Sequence, residues 1–327
     1  MTSQPILGID VGGTKCAIVS GSISAEGQIS ISGKSVFPTE TAKGFDQTLQ
    51  NIYANIDLEL SKTGLSSKDI AAIGISCGGP LDSKKGVIMS PPNLPGWDNI
   101  PLVELIEKRY GVKTAVQNDA NACTLAEWKY GAGRGCDNVI FLTFGTGMGA
   151  GLVLDGRLYA GTNDMAGEVG HIRLENTGPV GYGKAGSFEG FCSGGGIAQL
   201  ARTLTLEKMQ MGERVSFCAD MAALETLNAK TVAEAALQGD PLAIEIYRIC
   251  GHYLGKALST LIDVLNPEVI VLGSIYGRSQ ELIEPSMRLV IEKETLSHSR
   301  NVCKIVPAGL GESIGDYAAL SVAAYLL

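Results

Sequence analysis

Ile6-Leu7-Gly8-Ile9-Asp10-Val11-Gly12-Gly13-Thr14-Lys15-Cys16-Ala17-Ile18-Val19-Ser20 is the stretch that decides the fold. An apolar run ends at Asp10, two glycines follow, and a second apolar run begins at Cys16. Residues 6–10 read as a buried strand, 12–15 as a hairpin turn and 16–20 as the returning strand. The same plan recurs later: an apolar strand over 138–144, Gly145-Thr146-Gly147-Met148-Gly149, a strand over 151–154, and a turn at Asp155-Gly156. After the first hairpin come a strand at 29–37 and a helix at 44–62, carried by Phe45, Leu49, Ile52, Ile56 and Leu60. A strand at 70–76, a helix at 102–110 and a strand at 112–116 complete this half. After the second hairpin, a long helix over 240–265 stops at Asn266-Pro267. Strands at 268–272 and 305–306 and a closing helix at 313–326 follow. The repeat predicts a duplicated α/β architecture of two lobes with a central cleft.

Both glycine turns have a chemical reading. Glycine lets the backbone approach an anion and aim its N–H groups at it. At the first turn Thr14 adds a hydroxyl donor, and Asp10 offers a hard oxygen to Mg²⁺. A P-loop is excluded, because it needs G-x-x-x-x-G-K-[ST] followed by a helix, and here a strand follows Gly13-Thr14-Lys15. By itself this turn is equally an ordinary glycine hairpin. The segment from Gly145 to Ala150 satisfies G-x-G-x-x-[GA], yet a dinucleotide fold needs a helix next. Gly151-Leu152-Val153-Leu154-Asp155-Gly156-Arg157-Leu158 is a hairpin pattern instead. A second phosphate-binding hairpin is the better reading, and two such loops could grip a triphosphate from both sides.

Composition narrows the class. The 327 residues are 45% hydrophobic, enough for a large core and for two domains of roughly 150 residues each. A net charge of −8 without a basic stripe argues against nucleic acid as a partner. The eight cysteines are scattered with no C-x-x-C pair, which reads as reduced thiols in a cytoplasmic protein. The apolar run before Asp10 is too short for an expected signal peptide. No run of about 18 apolar residues occurs, so no membrane partner is expected.

Taken together, these segments resemble the ROK family, a group of sugar kinases and repressors. The resemblance covers nearly the whole chain. It rests on residues 8–15, on Pro92-Asn93-Leu94-Pro95-Gly96-Trp97, and on Asn118-Asp119-Ala120-Asn121-Ala122. It continues from Gly145 through Gly156 and Gly161 to Ala166-Gly167-Glu168-Val169-Gly170-His171, and ends with Gly315-Asp316-Tyr317-Ala318-Ala319. The fold it implies is the duplicated ribonuclease-H-like fold of actin-like ATPases and sugar kinases. The lobes are placed at 1–117, joined by the C-terminal helix 305–327, and at 118–304. The activity it implies is ATP-dependent, Mg²⁺-assisted phosphorylation of a hexose or N-acetylhexosamine hydroxyl, usually O6, by a homodimer.

By resemblance Asp119 is the catalytic base. Asn118, Glu168, His171 and Glu189 look like sugar ligands, and Gly79 and Asn93 line the same pocket. Asp10, Gly12, Gly13, Thr14 and Lys15 from one half, with Gly145, Thr146 and Gly147 from the other, are assigned to ATP. Gly273 and Ser274 fall where the family wraps adenosine. Many relatives hold zinc with a histidine at the place of His171 and a following C-x-C-G-x-x-G-C-x-E. Here residues 180–189 put Val180, Tyr182 and Ser187 at the three cysteine positions, while Glu189 remains. One histidine cannot hold structural zinc, so none is expected.

Phosphoryl transfer needs positioning, charge neutralisation and an acceptor for the sugar's proton. Asp119, just after a strand and at the start of a helix, suits the acceptor role. Read locally, it would sooner be the helix cap. Its placement between two phosphate turns and beside Asn118 and Asn121 favours catalysis. Replacing Gly147 by valine is expected to weaken ATP binding and to affect sugar affinity much less. Two competing readings are a sugar-responsive repressor and a non-catalytic sugar-binding protein. Repressors of the family carry a helix-turn-helix ahead of the first loop, and a strand from Ile6 is expected to leave no room for one. Glucose leads as substrate, then N-acetylmannosamine, with fructose and allose behind.

Overall fold

The computed structural model describes residues 3–327. The opening stretch forms β1 (Gln4–Val11) and β2 (Lys15–Ile23), an antiparallel hairpin extended by β3 (Ile29–Pro38). Helix α1 (Phe45–Thr63) buries Leu49, Ile52, Ile56 and Leu60 and stops at Gly64 in the left-handed region. Strand β4 (Ala72–Cys77) begins two residues later than the apolar run, because a 3₁₀ turn with a Ser66–Asp69 capping box delays it. A short hairpin, β5 (Leu81–Asp82) and β6 (Val87–Ile88), precedes α2 (Leu102–Tyr110), β7 (Thr114–Asn118) and α3 (Asp119–Tyr130).

The first sheet runs β3-β2-β1-β4-β7, with β1, β4 and β7 parallel. Parallel strands need cover on both faces, and their apolar residues divide accordingly. Leu7, Ile9 and Val11 join Ile52, Ile56, Ile73, Ile75 and Val116 on one side. Ile6, Val19 and Ala72 meet Leu320 and Ala323 of the closing helix on the other. That helix lies almost on the sheet, since a Cβ on Gly8 would come 2.8 Å from Ala319 Cβ.

The plan then repeats. β8 (Val139–Phe144), β9 (Met148–Leu154) and β10 (Arg157–Leu158) are followed by a small hairpin, β11 (Val180–Gly181) and β12 (Lys184–Ala185). The helices α4 (Phe188–Phe191), α5 (Gly194–Gln210), α6 (Ala229–Leu237) and α7 (Pro241–Leu265) come next. Asp240 caps α7 through the N–H groups of Leu242 and Ala243, and Asn266 ends it at φ 45°. β13 (Val269–Leu272), α8 (Ser274–Glu294), α9 (Ser297–Val302), β14 (Lys304–Pro307) and α10 (Ile314–Ala324) close the chain. The second sheet runs β10-β9-β8-β13-β14, with β8, β13 and β14 parallel, the order of the first sheet over again. This is the expected duplicated α/β fold.

Contacts divide the chain into two compact units. One comprises Met1–Gly135, Gly151–Ala166 and Gly309–Leu327, and the other Cys136–Ala150 and Gly167–Ala308. Helices α4, α5, α6, α8 and α9 lie outside the elements that the sequence pattern marks. No helix among the described residues is long and apolar enough to cross a membrane.

Candidate functional site

In the first unit, parallel pairing places the C-terminal ends of β1, β4 and β7 at one sheet edge, where ligands of open α/β sheets bind. Asp10 pairs with Ser76, and Cys77 with Asn118, so Asp10, Gly78, Gly79, Asn118 and Asp119 gather there. The first glycine turn closes by a Gly12 N–H to Lys15 carbonyl bond of 3.1 Å. Thr39 braces it from behind. Its hydroxyl donates to the Gly12 carbonyl at 2.6 Å and its N–H to the Thr14 carbonyl at 3.0 Å. Asn93 packs on the turn, with its carbonyl 2.6 Å from where a Gly13 Cβ would sit and its amide 3.2 Å from that of Gly78. The Asn93 loop is anchored by buried Leu94 and Trp97, the latter edge-on to Phe45 at 5.0 Å. Around Gly79 there is open space.

The helix-cap question resolves cleanly. Asn118, not Asp119, caps α3, with its Oδ1 accepting the Asn121 N–H at 2.7 Å. Asp119 is the first helical residue, and its carboxylate accepts the Ala120 N–H at 2.8 Å. Capping thus engages the side-chain oxygen of Asn118 and not its amide N–H groups.

Desolvation by the surrounding protein pushes the Asp119 carboxyl up from its ordinary value, against the opposing pull of backbone N–H groups. Asp10 is raised to about 6, first by burial and next by the charge of Asp119, with Lys34 and Lys15 opposing. Lys34 itself is engaged by Asp316 at 2.5 Å. Two carboxylates that repel each other at one sheet edge favour a cation or a proton between them. Such a donor pair fits Mg²⁺, which keeps waters and phosphate oxygens for its other positions.

In the second unit, the turn of Gly145, Thr146 and Gly147 leads directly into β9, three residues earlier than the sequence reading placed the strand. No helix follows, so the hairpin reading stands against the dinucleotide one. The start of α5 sits on this turn: Gly194 N–H donates to the Gly145 carbonyl at 2.8 Å and Gly195 N–H to that of Thr146 at 3.4 Å. Ser193 caps α5 through the Gly196 N–H at 3.0 Å. Gly273 closes β13 onto Leu142, and Ser274 opens α8 at φ 24° with its hydroxyl taken by Arg278 at 2.8 Å. A Cβ on Gly194 would lie 3.1 Å from the Gly145 carbonyl and 3.3 Å from Ile275 Cδ1, so the starts of α5 and α8 meet at the turn. Two helix N-termini there favour an anion. The run Ser193-Gly194-Gly195-Gly196 escaped the sequence reading, although a serine followed by three glycines was a visible signal.

Glu189, on α4, joins this turn. Its Oε2 accepts the Met148 N–H at 3.0 Å and stands 2.8 Å from where a Gly147 Cβ would lie. Gly170, next to His171, packs on the Met148 carbonyl and against Glu189 Cβ. Glu168 starts the 3₁₀ turn Val169–His171. The His171 ring is exposed and lies edge-on to Tyr182 at 6.3 Å. Of the residues at the cysteine positions, Val180 and Tyr182 are exposed, whereas buried Ser187 caps α4 through the Gly190 N–H at 3.1 Å. No cluster of three or more His, Cys, Asp or Glu side chains suited to a metal occurs among the described residues.

Known proteins place this geometry. The chain matches the ROK family over residues 6–325. It is 30% identical to the glucokinase of Thermotoga maritima across 98% of both chains. It is also 30% identical to the N-acetylglucosamine repressor of Escherichia coli O157:H7, over 86% of this chain and 67% of the repressor. A solved ROK family glucokinase from Streptomyces griseus, in complex with glucose and AMPPNP, superimposes with a TM-score of 0.74 at 28% identity, covering 98% of this chain and 99% of that one. With the glycine turns, the Asn118-Asp119 pair and the repeated sheet all in place, the chain belongs to the ROK family.

Proposed function

We propose that the protein transfers the γ-phosphoryl group of ATP to O6 of a hexose or N-acetylhexosamine. Asp119 accepts the hydroxyl proton as the sugar oxygen bonds to the γ-phosphorus. The bond from that phosphorus to the β,γ-bridging oxygen breaks, and ADP leaves. Asp10 would hold the Mg²⁺ that arrives with the nucleotide, an ion that would offset the phosphate charge. The turns at 12–14 and 145–147 offer N–H groups to its phosphates, and Gly273 and Ser274 receive the adenosine. Asn93, Gly79, the Asn118 amide, Glu168, His171 and Glu189 bind the sugar. A polar pocket matched to each hydroxyl discriminates strongly, because an unmet buried partner costs about 1–3 kcal/mol.

The observation that carries this reading is Asp119. It is a carboxylate with a raised pKa, exposed at the end of a parallel strand, relieved of capping by Asn118 and set against Asp10. The glucokinase relatives and the solved homologue with glucose and AMPPNP support the substrate classes. Glucose is the first sugar to test and N-acetylmannosamine the second. A panel of hexoses and N-acetylhexosamines, read by ADP release, tests the reading. A sugar-responsive repressor would bind sugar without consuming ATP, and the net charge of −8 disfavours it.

A further inference from the structure

The segment carrying His171 and Glu189 is closed on itself by side chains that none of the roles above employs. Gln199, on the second turn of α5, clamps Val180 at both backbone groups. Its Oε1 accepts the Val180 N–H at 3.0 Å, and its Nε2 donates to the Val180 carbonyl at 2.8 Å. Val180 opens the β11–β12 hairpin, which folds back onto α4. Buried Ser187 receives the Gly190 N–H, and the Phe188 N–H reaches the Ile172 carbonyl at 2.8 Å. Across the same loop Arg173 donates to the Ala185 carbonyl at 2.8 Å and Lys184 to that of His171 at 2.7 Å. These bonds tie the neighbours of His171 to the neighbours of Glu189. An amide that satisfies one residue's N–H and C=O together fixes that residue as a paired strand would.

We propose that Gln199 is a positioning residue for sugar binding: its two-point clamp on Val180 fixes the hairpin that sets the Glu189 carboxylate. The proposal rests on Glu189 being a sugar ligand. Gln199 is only half-buried and sits in a long helix, so Gln199→Met, of similar length and helix propensity, removes both bonds without emptying a core site. Two hydrogen bonds at their usual net worth correspond to about a tenfold effect.

The test is a double-mutant cycle of Gln199→Met with Glu189→Gln, reading sugar KM, ATP KM and kcat, with thermal melts to verify folding. Gln199→Met is expected to raise sugar KM about tenfold and to leave ATP KM within about twofold. In the Glu189→Gln background it is expected to add nearly nothing to sugar KM. A general loss of stability would instead lower apparent kcat by loss of folded protein, leave both KM values unchanged and combine additively. If Glu189→Gln raises sugar KM while Gln199→Met leaves it unchanged, or if the two effects add, the clamp has no positioning role. If Glu189→Gln itself leaves sugar KM unchanged, Glu189 is not a sugar ligand, and the reading beneath the proposal falls first.

Discussion

Gly147→Ala probes the contact between the second glycine turn and Glu189. The glycine's φ lies outside the left-handed region, so alanine brings no backbone strain, and the effect comes from one methyl group. That Cβ would stand 2.8 Å from Glu189 Oε2, inside ordinary van der Waals distance, and the flexible carboxylate must swing away. Swinging breaks its 3.0 Å bond from the Met148 N–H. A hydrogen bond to a charged group is worth about 1.5–3 kcal/mol, which corresponds to roughly a 10- to 150-fold change in affinity. Sugar KM should therefore rise by at least about tenfold, alongside a rise in ATP KM from the crowded turn. The sequence reading expects a Gly147 substitution to weaken ATP binding and to affect sugar affinity much less; the contact with Glu189 adds an expected effect on sugar KM. Steady-state kinetics with both substrates varied would measure the split. A raised ATP KM with sugar KM unchanged within about twofold would refute the coupling of turn and sugar site through Glu189.

Other consequences follow from the carboxylates and from the loop chemistry. Asp10 holds its proton in the folded protein up to about 6, against 3.8 ordinarily. Its stabilising protonation is complete below 3.8 and is lost as pH rises through 6, a loss on the order of 3 kcal/mol. Thermal melts of Mg²⁺-free protein should show Asp10→Asn stabilised relative to wild type at pH 7.5 but not at pH 4, with turnover lost; equal melting at both pH values would contradict this. Fully buried Glu127 accepts N–H groups from Ala132 at 2.7 Å, Gly309 at 3.0 Å and Leu310 at 2.9 Å. Glu127→Gln turns an N–H₂ toward those donors and should cost about 1.5–3 kcal/mol in denaturant unfolding; an unchanged midpoint would show that the cluster rearranges freely. With Val180, Tyr182 and Ser187 at the cysteine positions, metal analysis of chelator-treated protein should find no stoichiometric zinc. One tightly held zinc per chain would mean a ligand set assembled from other residues.

The hairpins at 12–15 and 145–147 were legible because each joins two buried apolar runs, a pattern that helices do not share. The order of the sheets was not, since the pairing of Asp10 with Ser76 and of Cys77 with Asn118 joins residues distant in sequence. Which neighbour caps α3 depended on side-chain direction, which Asn118-Asp119 as a dipeptide does not reveal. Helix α8 hid behind Pro285 and a kink at Ser279, and α5 behind the three glycines that bring its start onto the turn. The bonds from Gly309 and Leu310 to Glu127 span more than half the chain, and no local pattern encodes them.

The central claim is that Asp119 takes the sugar's proton during phosphoryl transfer. Asp119→Asn keeps the shape of the side chain, and its carbonyl oxygen can still accept the Ala120 N–H, but an amide cannot take up the proton. Calorimetry of sugar binding should then give a Kd close to wild type, while sugar-dependent ADP release falls by roughly 10²–10⁴-fold in kcat. A variant that binds sugar and retains near wild-type kcat would remove Asp119 from the mechanism and contradict the account at its base.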